Sequence, residues 1–194
     1  MFAGHFGLAA AVKARTPRVP LWALMLATQL LDILFVPFLL TETETLVPVE
    51  GAESYGGSVI HADYTHSLVG ALLVAAAAGW LASRRWGRKG GWTIGAVVMS
   101  HWVLDLLVHR PDMPILPGNA GGLPLLGFGL WRWPAVSLAM ELALVVLGAV
   151  LYVRSLPKSR KRPAVSPLRR GSLWAGLGMV VLLAASLASD VLGL

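Results

Sequence analysis

The sequence predicts an all-α fold: a polytopic membrane helix bundle of about five transmembrane helices, with a short N-terminal helix and an irregular outer loop. Three observations lead there. Hydrophobic residues make up 56% of the 194 residues and charged residues only 13%, roughly half the charged share of a soluble domain. Mean hydropathy is +0.69, too apolar for a chain that faces water on all sides. Several apolar runs approach the ~20 residues that a bilayer-spanning helix needs, and the segments joining them alternate in basic charge.

The N-terminal "MFAGHFGLAAAVKAR" has an apolar part too short to span and reads as a re-entrant or half-embedded helix. Lys13 and Arg15 follow its apolar residues, the reverse of a secretory signal, so the segment is expected to stay in the mature chain. "PLWALMLATQLLDILFVPFLL" (20–40) is the first span, "HSLVGALLVAAAAGWLA" (66–82) the second and "WTIGAVVMSHWVLDLLVH" (92–109) the third. "PAVSLAMELALVVLGAVLYV" (134–153) is the fourth and "SLWAGLGMVVLLAASLASDVLGL" (172–194) the fifth. The run "MPILPGNAGGLPLLGFGLWRW" (113–133) is apolar but too rich in Gly and Pro for one regular helix. Such backbone near membrane depth lines a cavity or packs on protein, so the segment is expected to roof a site, or to lie at the interface anchored by Trp131 and Trp133.

Lys13, Arg15 and Arg18 precede the first span, and Arg84, Arg85, Arg88 and Lys89 join the second to the third. Arg154, Lys158, Arg160, Lys161, Arg162, Arg169 and Arg170 join the fourth to the fifth. The positive-inside rule makes these segments cytoplasmic. Loops 41–65 and 110–133, and the C-terminus, then face the periplasm of a bacterial inner membrane. Residues 1–154 form a membrane domain, 155–171 a basic cytoplasmic loop and 172–194 a C-terminal transmembrane helix. The isoelectric point near 10.3 is thereby explained by topology and by contact with anionic lipid headgroups; nucleic acid is not an expected partner. The chain has no cysteine, which excludes disulfides and thiolate metal sites.

The acids are one-sided. Glu42, Glu44, Glu50, Glu53, Asp63 and Asp112 fall in outer loops, and Asp32, Asp105 and Glu141 fall inside spans. In "SHWVLDLLVHRPD" (100–112), His101, Asp105 and His109 recur at every fourth position. That spacing makes one stripe on a helix, with His101 roughly 12 Å below His109. "HADYTHS" (61–67) brings His61, Asp63 and His66 to the same outer layer, and His5 reaches it if its helix points upward from Lys13. A charge at the bilayer centre costs about 2.5–3.5 kcal/mol, so Asp32, Asp105 and Glu141 need partners.

His and carboxylate without Cys is a zinc-enzyme ligand set that also suits manganese, iron or nickel. His101 and Asp105 reach one ion from a single helix, with Asp32 and His66 as further ligands and His109, His5 and His61 as additional candidates. An open position would hold a water activated by the ion, with Glu141 or Asp63 as general base. Arg110, with Asp112, is a candidate contact for an anionic substrate group. Each residue also has a plainer reading. His101 and Asp105 suit a buried ion pair, His109 a solvated helix end, His61 and Asp63 an ordinary loop, and Arg110 snorkels to the interface.

With these residues in place, the chain resembles the bacterial inner-membrane metal-dependent hydrolases, a group that includes the LexA-binding hydrolase. The matching pieces are "GH" at His5, an Asp in the first long span (Asp32), "THS" at His66, and "SHWVLDLLVHRPD" with the Gly/Pro-rich segment after it. They cover most of residues 1–145. The His-x-x-x-Asp element also looks like zinc-dependent phospholipase C and the P1-type nucleases. The resemblance implies Asp32, His66, His101 and Asp105 as ligands of a divalent metal, zinc first. It relates His109 and Glu141 to a second metal. Many members read Pro-Asp-x-Asp-His where this chain reads "LDILF", so one Asp and one His of that pattern are missing here.

The expected function is therefore a membrane-embedded metal-dependent hydrolase acting on a lipid or small phosphoester near the periplasmic face. The alternatives are a transporter or proton pathway built on intramembrane His and Asp, or a non-enzymatic membrane protein with a structural metal.

Overall fold

The protein is described from a computed structural model covering residues 2–49, 56–156 and 167–192. It is mostly helical, with α1 (Phe2–Lys13), α2 (Leu21–Thr28), α3 (Leu30–Leu40), α4 (Leu68–Val108), α5 (Pro134–Ser155) and α6 (Pro167–Leu192). Between α3 and α4 lie two short strands, β1 (Thr45–Pro48) and β2 (Ser58–His61), paired antiparallel with Thr45 opposite His61. The sequence reading has an outer loop where this hairpin stands. Its strands are mostly exposed and too short to carry a period-2 signal.

The run expected as a single first span is broken. α2 and α3 meet at Gln29 with a bend of 48°, because Gln29 leaves the helical region at φ −107°, ψ 6°. No proline or glycine marks the break in the sequence; Pro37 lies further on, inside α3. The bend has a tertiary cause, since the Thr28 carbonyl accepts a hydrogen bond from His101 Nδ1. A side chain that engages the backbone at such a point is a recognised source of kinks.

The second and third expected spans both lie in α4, which doubles back at Gly87. That residue sits at φ 72°, ψ 175°, a region open to glycine and costly for other residues. The two halves then run antiparallel. A Cβ on Gly79 would lie 3.0 Å from the Gly91 carbonyl, and one on Gly95 would lie 3.1 Å from that of Ala75. At the open end, Trp102 Nε1 donates to the His66 carbonyl at 2.8 Å. Small residues thus let the backbones touch, as the run "GALLVAAAAG" implies.

α1 is too short to cross a bilayer and packs instead along α5. A Cβ on Gly148 would fall 2.0 Å from the Gly7 carbonyl, and one on Gly7 would fall 2.6 Å from that of Leu144. The short helix is held between α5 and α2, with Lys13 Nζ closing its last turn onto the carbonyls of Pro17 and Val19. Leu24, Leu31, Val97, Val98 and Trp102 build the core where α2 and α3 meet α4.

Among the described residues, two helices are long and apolar enough to cross a membrane, or three if the bent α2–α3 pair is one span. α4 enters that number as one helix, although it folds back. Trp92 at 72% exposure, Leu40 at 80% and Leu182 at 68% give the outer surface an apolar character suited to lipid. Residues 157–166 of the expected basic loop lie outside the described residues, and α6 begins at Pro167, five positions before the expected span.

The Gly/Pro-rich segment forms no long helix. It contributes a bridge between Met113 and Leu126 and short 3-10 turns at Pro117–Asn119 and Leu130–Arg132. The carbonyls of Pro114 and Ile115 accept from Leu68 N and Val69 N, so the segment caps the start of α4. It also holds the far end of α4, where Phe128 N and Gly129 N donate to the carbonyls of Leu106 and His109.

Candidate metal centre

Four chain segments deliver ionisable groups to one point. α3 brings Asp32 in its first turn, where the helix N-terminus favours a carboxylate. The turn before α4 brings His66, and the second half of α4 brings His101 and Asp105. α1 brings His5. His5, His66, His101 and Asp105 are each at most 5% exposed, whereas the Asp32 side chain is 38% exposed.

Asp32 Oδ1, His66 Nε2 and His101 Nε2 form a nearly equilateral triangle with sides of 3.4, 3.5 and 3.3 Å. A tetrahedral ion with ligands at ~2.0–2.1 Å holds them roughly 3.3–3.4 Å apart. The three atoms therefore have the spacing of one face of such a site. Asp105 Oδ2 stands 2.9 Å from His101 Nε2 and 3.7 Å from His66 Nε2. Its other oxygen is 3.1 Å from His5 Nε2, and the His5 ring stacks on that of His101 with centroids 4.0 Å apart. His101 thus belongs to two candidate metal-holding triads, one with Asp32 and His66 and one with His5 and Asp105.

The outer nitrogens decide what the inner ones can do. The Thr28 carbonyl only accepts, so His101 Nδ1 carries the proton in that hydrogen bond. A neutral His101 then presents a bare lone pair at Nε2. His66 Nδ1 lies 2.9 Å from Thr65 Oγ1. That hydroxyl in turn lies 2.9 Å from Glu44 Oε2, an acceptor to which it donates. A neutral His66 is bare at Nε2 by the same reasoning. Two lone pairs and a carboxylate oxygen facing one another fit a bound cation, and orientation by the second nitrogen is what metal-binding histidines require.

The remaining sequence candidates stand elsewhere. His109 Nδ1 is 2.9 Å from Asp112 Oδ1, its ring lies against Trp131, and Ile60 N donates to Asp112 Oδ2 at 3.3 Å. Arg110 Nη2 donates to the Gly56 carbonyl. These three residues tie the β hairpin and the Gly/Pro-rich segment to the end of α4 and are not part of the Asp32–His66–His101 triangle. The stripe is real as a helical face, but Val108 is the last residue of α4 and His109 is its cap, so the chain turns away there. His61 is exposed at the end of β2. Asp63 is half-buried and its carbonyl accepts from Gly118 N at 2.9 Å.

Glu141, fully buried in α5, accepts from Gly4 N at 3.0 Å. It satisfies one of the amides left without a partner at the start of α1 and so orients the turn that carries His5. Sequence reading does not single out Glu44 or Thr65. Glu44 is one of several acids in a loop, and only the hydrogen bonds formed on folding separate it from its neighbours.

The family model described as YdjM inner membrane protein matches residues 1–192, and the chain belongs to that family. Its family and its apolar helices identify it as an inner-membrane protein. No curated protein and no solved structure matches the chain.

Proposed function

We propose that this member of the YdjM inner membrane protein family is a membrane-embedded metal-dependent hydrolase, with zinc the best-fitting ion and a lipid or small phosphoester as substrate. The observation that carries the reading is the triangle of Asp32 Oδ1, His66 Nε2 and His101 Nε2 at near-tetrahedral spacing, with both imidazoles held by their outer nitrogens. A bound divalent ion supplies Lewis acidity and activation of water.

The chain's own residues do the rest. Asp105 sits on the triangle's edge, and its second oxygen is tied to His5, which fixes the carboxylate in place. Asp32, with its side chain 38% exposed, is the open edge of an otherwise buried cluster. Ile33 and Val36 beside it are 44% and 51% exposed, an apolar approach that suits an acyl-bearing substrate. A fully closed structural site has no need of such an edge. The spans place few ionisable groups on the cytoplasmic side of this cluster, which weighs against a proton pathway through the membrane.

The same reading takes α2–α3 as one broken span, the two halves of α4 as two, and α5 and α6 as one each, for five crossings. The turn around Gly87 is cytoplasmic, and the cluster and the C-terminus are on the periplasmic side. The test is hydrolysis. Detergent-purified protein is loaded with zinc and assayed against a chromogenic phosphodiester and against phospholipid in mixed micelles. Turnover that disappears in both Asp32→Ala and His101→Ala supports the reading. Metal-loaded wild type inert toward a phosphoester, ester and amide panel overturns it.

A further inference from the structure

We infer that Glu44 is a positioning residue for the metal centre: through Thr65 it selects the His66 tautomer that leaves Nε2 free to bind. The inference rests on the metal reading above and names the residue that sets one ligand. Glu44 is 1% exposed in the turn between α3 and β1. Its Oε1 accepts from Tyr64 N at 2.7 Å and from Thr65 N at 2.9 Å. Its Oε2 accepts from Thr65 Oγ1 at 2.9 Å.

A carboxylate has no proton to give, so the Thr65 hydroxyl hydrogen is committed to Glu44. What Thr65 turns toward His66 is a lone pair, 2.9 Å from Nδ1. Only a protonated Nδ1 makes that contact a hydrogen bond. The negative charge of Glu44 therefore runs down a directed chain, Glu44 to Thr65 to His66, and ends as a bare Nε2 in the cluster. The backbone bonds of Glu44 hold the turn, and its second oxygen sets the direction of the chain. These two roles separate chemically.

Glu44→Gln separates them. The amide oxygen still accepts from Tyr64 N and Thr65 N, while the amide nitrogen donates to Thr65 Oγ1. The hydroxyl hydrogen then turns to His66 Nδ1, and the proton moves to Nε2, where it competes with a metal. Two readouts follow in detergent-solubilised full-length protein. In the metal-free form, histidine 15N chemical shifts report the tautomer: His66 carries its proton on Nδ1 in wild type and on Nε2 in E44Q. In the Co2+ titration, E44Q binds about 10- to 100-fold more weakly, the usual cost of losing an outer-shell partner, with thermal unfolding close to wild type. Thr65→Ser keeps wild-type tautomer and affinity, and Thr65→Val loses both. An E44Q protein with the wild-type His66 tautomer overturns the inference whatever the metal result. Absence of Co2+ binding by wild type overturns the metal reading instead and leaves the tautomer readout to judge Glu44.

Discussion

The Nε2 atoms of His66 and His101 face each other across 3.3 Å, and each ring's Nδ1 is engaged on its far side, by Thr65 and by the Thr28 carbonyl. Neutral rings held this way meet lone pair to lone pair, with Asp32 Oδ1 and Asp105 Oδ2 adding negative charge at 3.5 and 2.9 Å from His101 Nε2. Such an arrangement is repulsive without a positive charge among the four atoms.

A proton on His101 Nε2 held by Asp105 supplies such a charge, and so does a divalent ion; the proposed centre predicts the ion. Protein purified without chelator should carry about one or more zinc or other transition ions by inductively coupled plasma mass spectrometry. His101→Ala and Asp105→Ala should lose them. His5→Ala, which removes the contact to the second oxygen of Asp105 and the ring stacked on His101, should weaken binding without removing it. Wild-type protein free of transition metal, and unable to take up Zn2+ or Co2+, would sink the idea.

His109, Arg110 and Asp112 are predicted to matter for the loop and not for the ion. His109→Ala breaks the contact to Asp112 and the packing on Trp131. It should cost on the order of 1 kcal/mol, a typical net worth for a hydrogen bond, and expose the 56–61 and 126–131 segments to limited proteolysis. Metal content should stay at the wild-type level. Loss of the ion in His109→Ala, with the fold intact, would return His109 to the ligand set.

Much of the helical frame is legible in the sequence because apolar length and basic alternation are one-dimensional signals. Residues 66–109 read as two helices joined by a basic turn, and the chain folds them as α4 with its reversal at Gly87. The convergence of Asp32, His66, His101 and Asp105 is legible for the same reason: helical period and membrane depth fix their layer. What escapes the sequence depends on tertiary partners. The break at Gln29 has its partner, His101, 73 positions from Thr28. Glu44 differs from Glu42 only in what it meets after folding. Glu141 reads as a candidate base by depth, and it is found against the first turn of α1, a segment whose placement the sequence leaves open.

The proposed orientation predicts a labelling pattern, and the absence of cysteine makes single-cysteine variants clean reporters. Asn119→Cys, in the Gly/Pro-rich segment between α4 and α5, should react with a membrane-impermeant maleimide once the outer membrane of whole cells is permeabilised. Lys89→Cys, beside the Gly87 turn, should react only after the inner membrane is opened. The reverse pattern would invert the topology and move the cluster to the cytoplasmic side.

Gly7 and Gly148 make the last prediction, because their contact holds the short helix that carries His5. A methyl on Gly148 would lie 2.0 Å from the Gly7 carbonyl oxygen. The obstacle is backbone, so no side chain can swing aside and α1 must shift. Overpacking of this kind costs about 1–3 kcal/mol, and alanine's better helix propensity returns only about 1 kcal/mol of it. Gly148→Ala should therefore lower the thermal midpoint in detergent. It should also weaken Co2+ binding, since displacing α1 draws His5 away from Asp105. Gly178 in α6 is the control, because a methyl there would meet nothing within 4 Å. Gly178→Ala should leave metal affinity alone and leave stability equal or slightly raised. Equal effects of the two substitutions on Co2+ affinity would mean that α1 does not support the site.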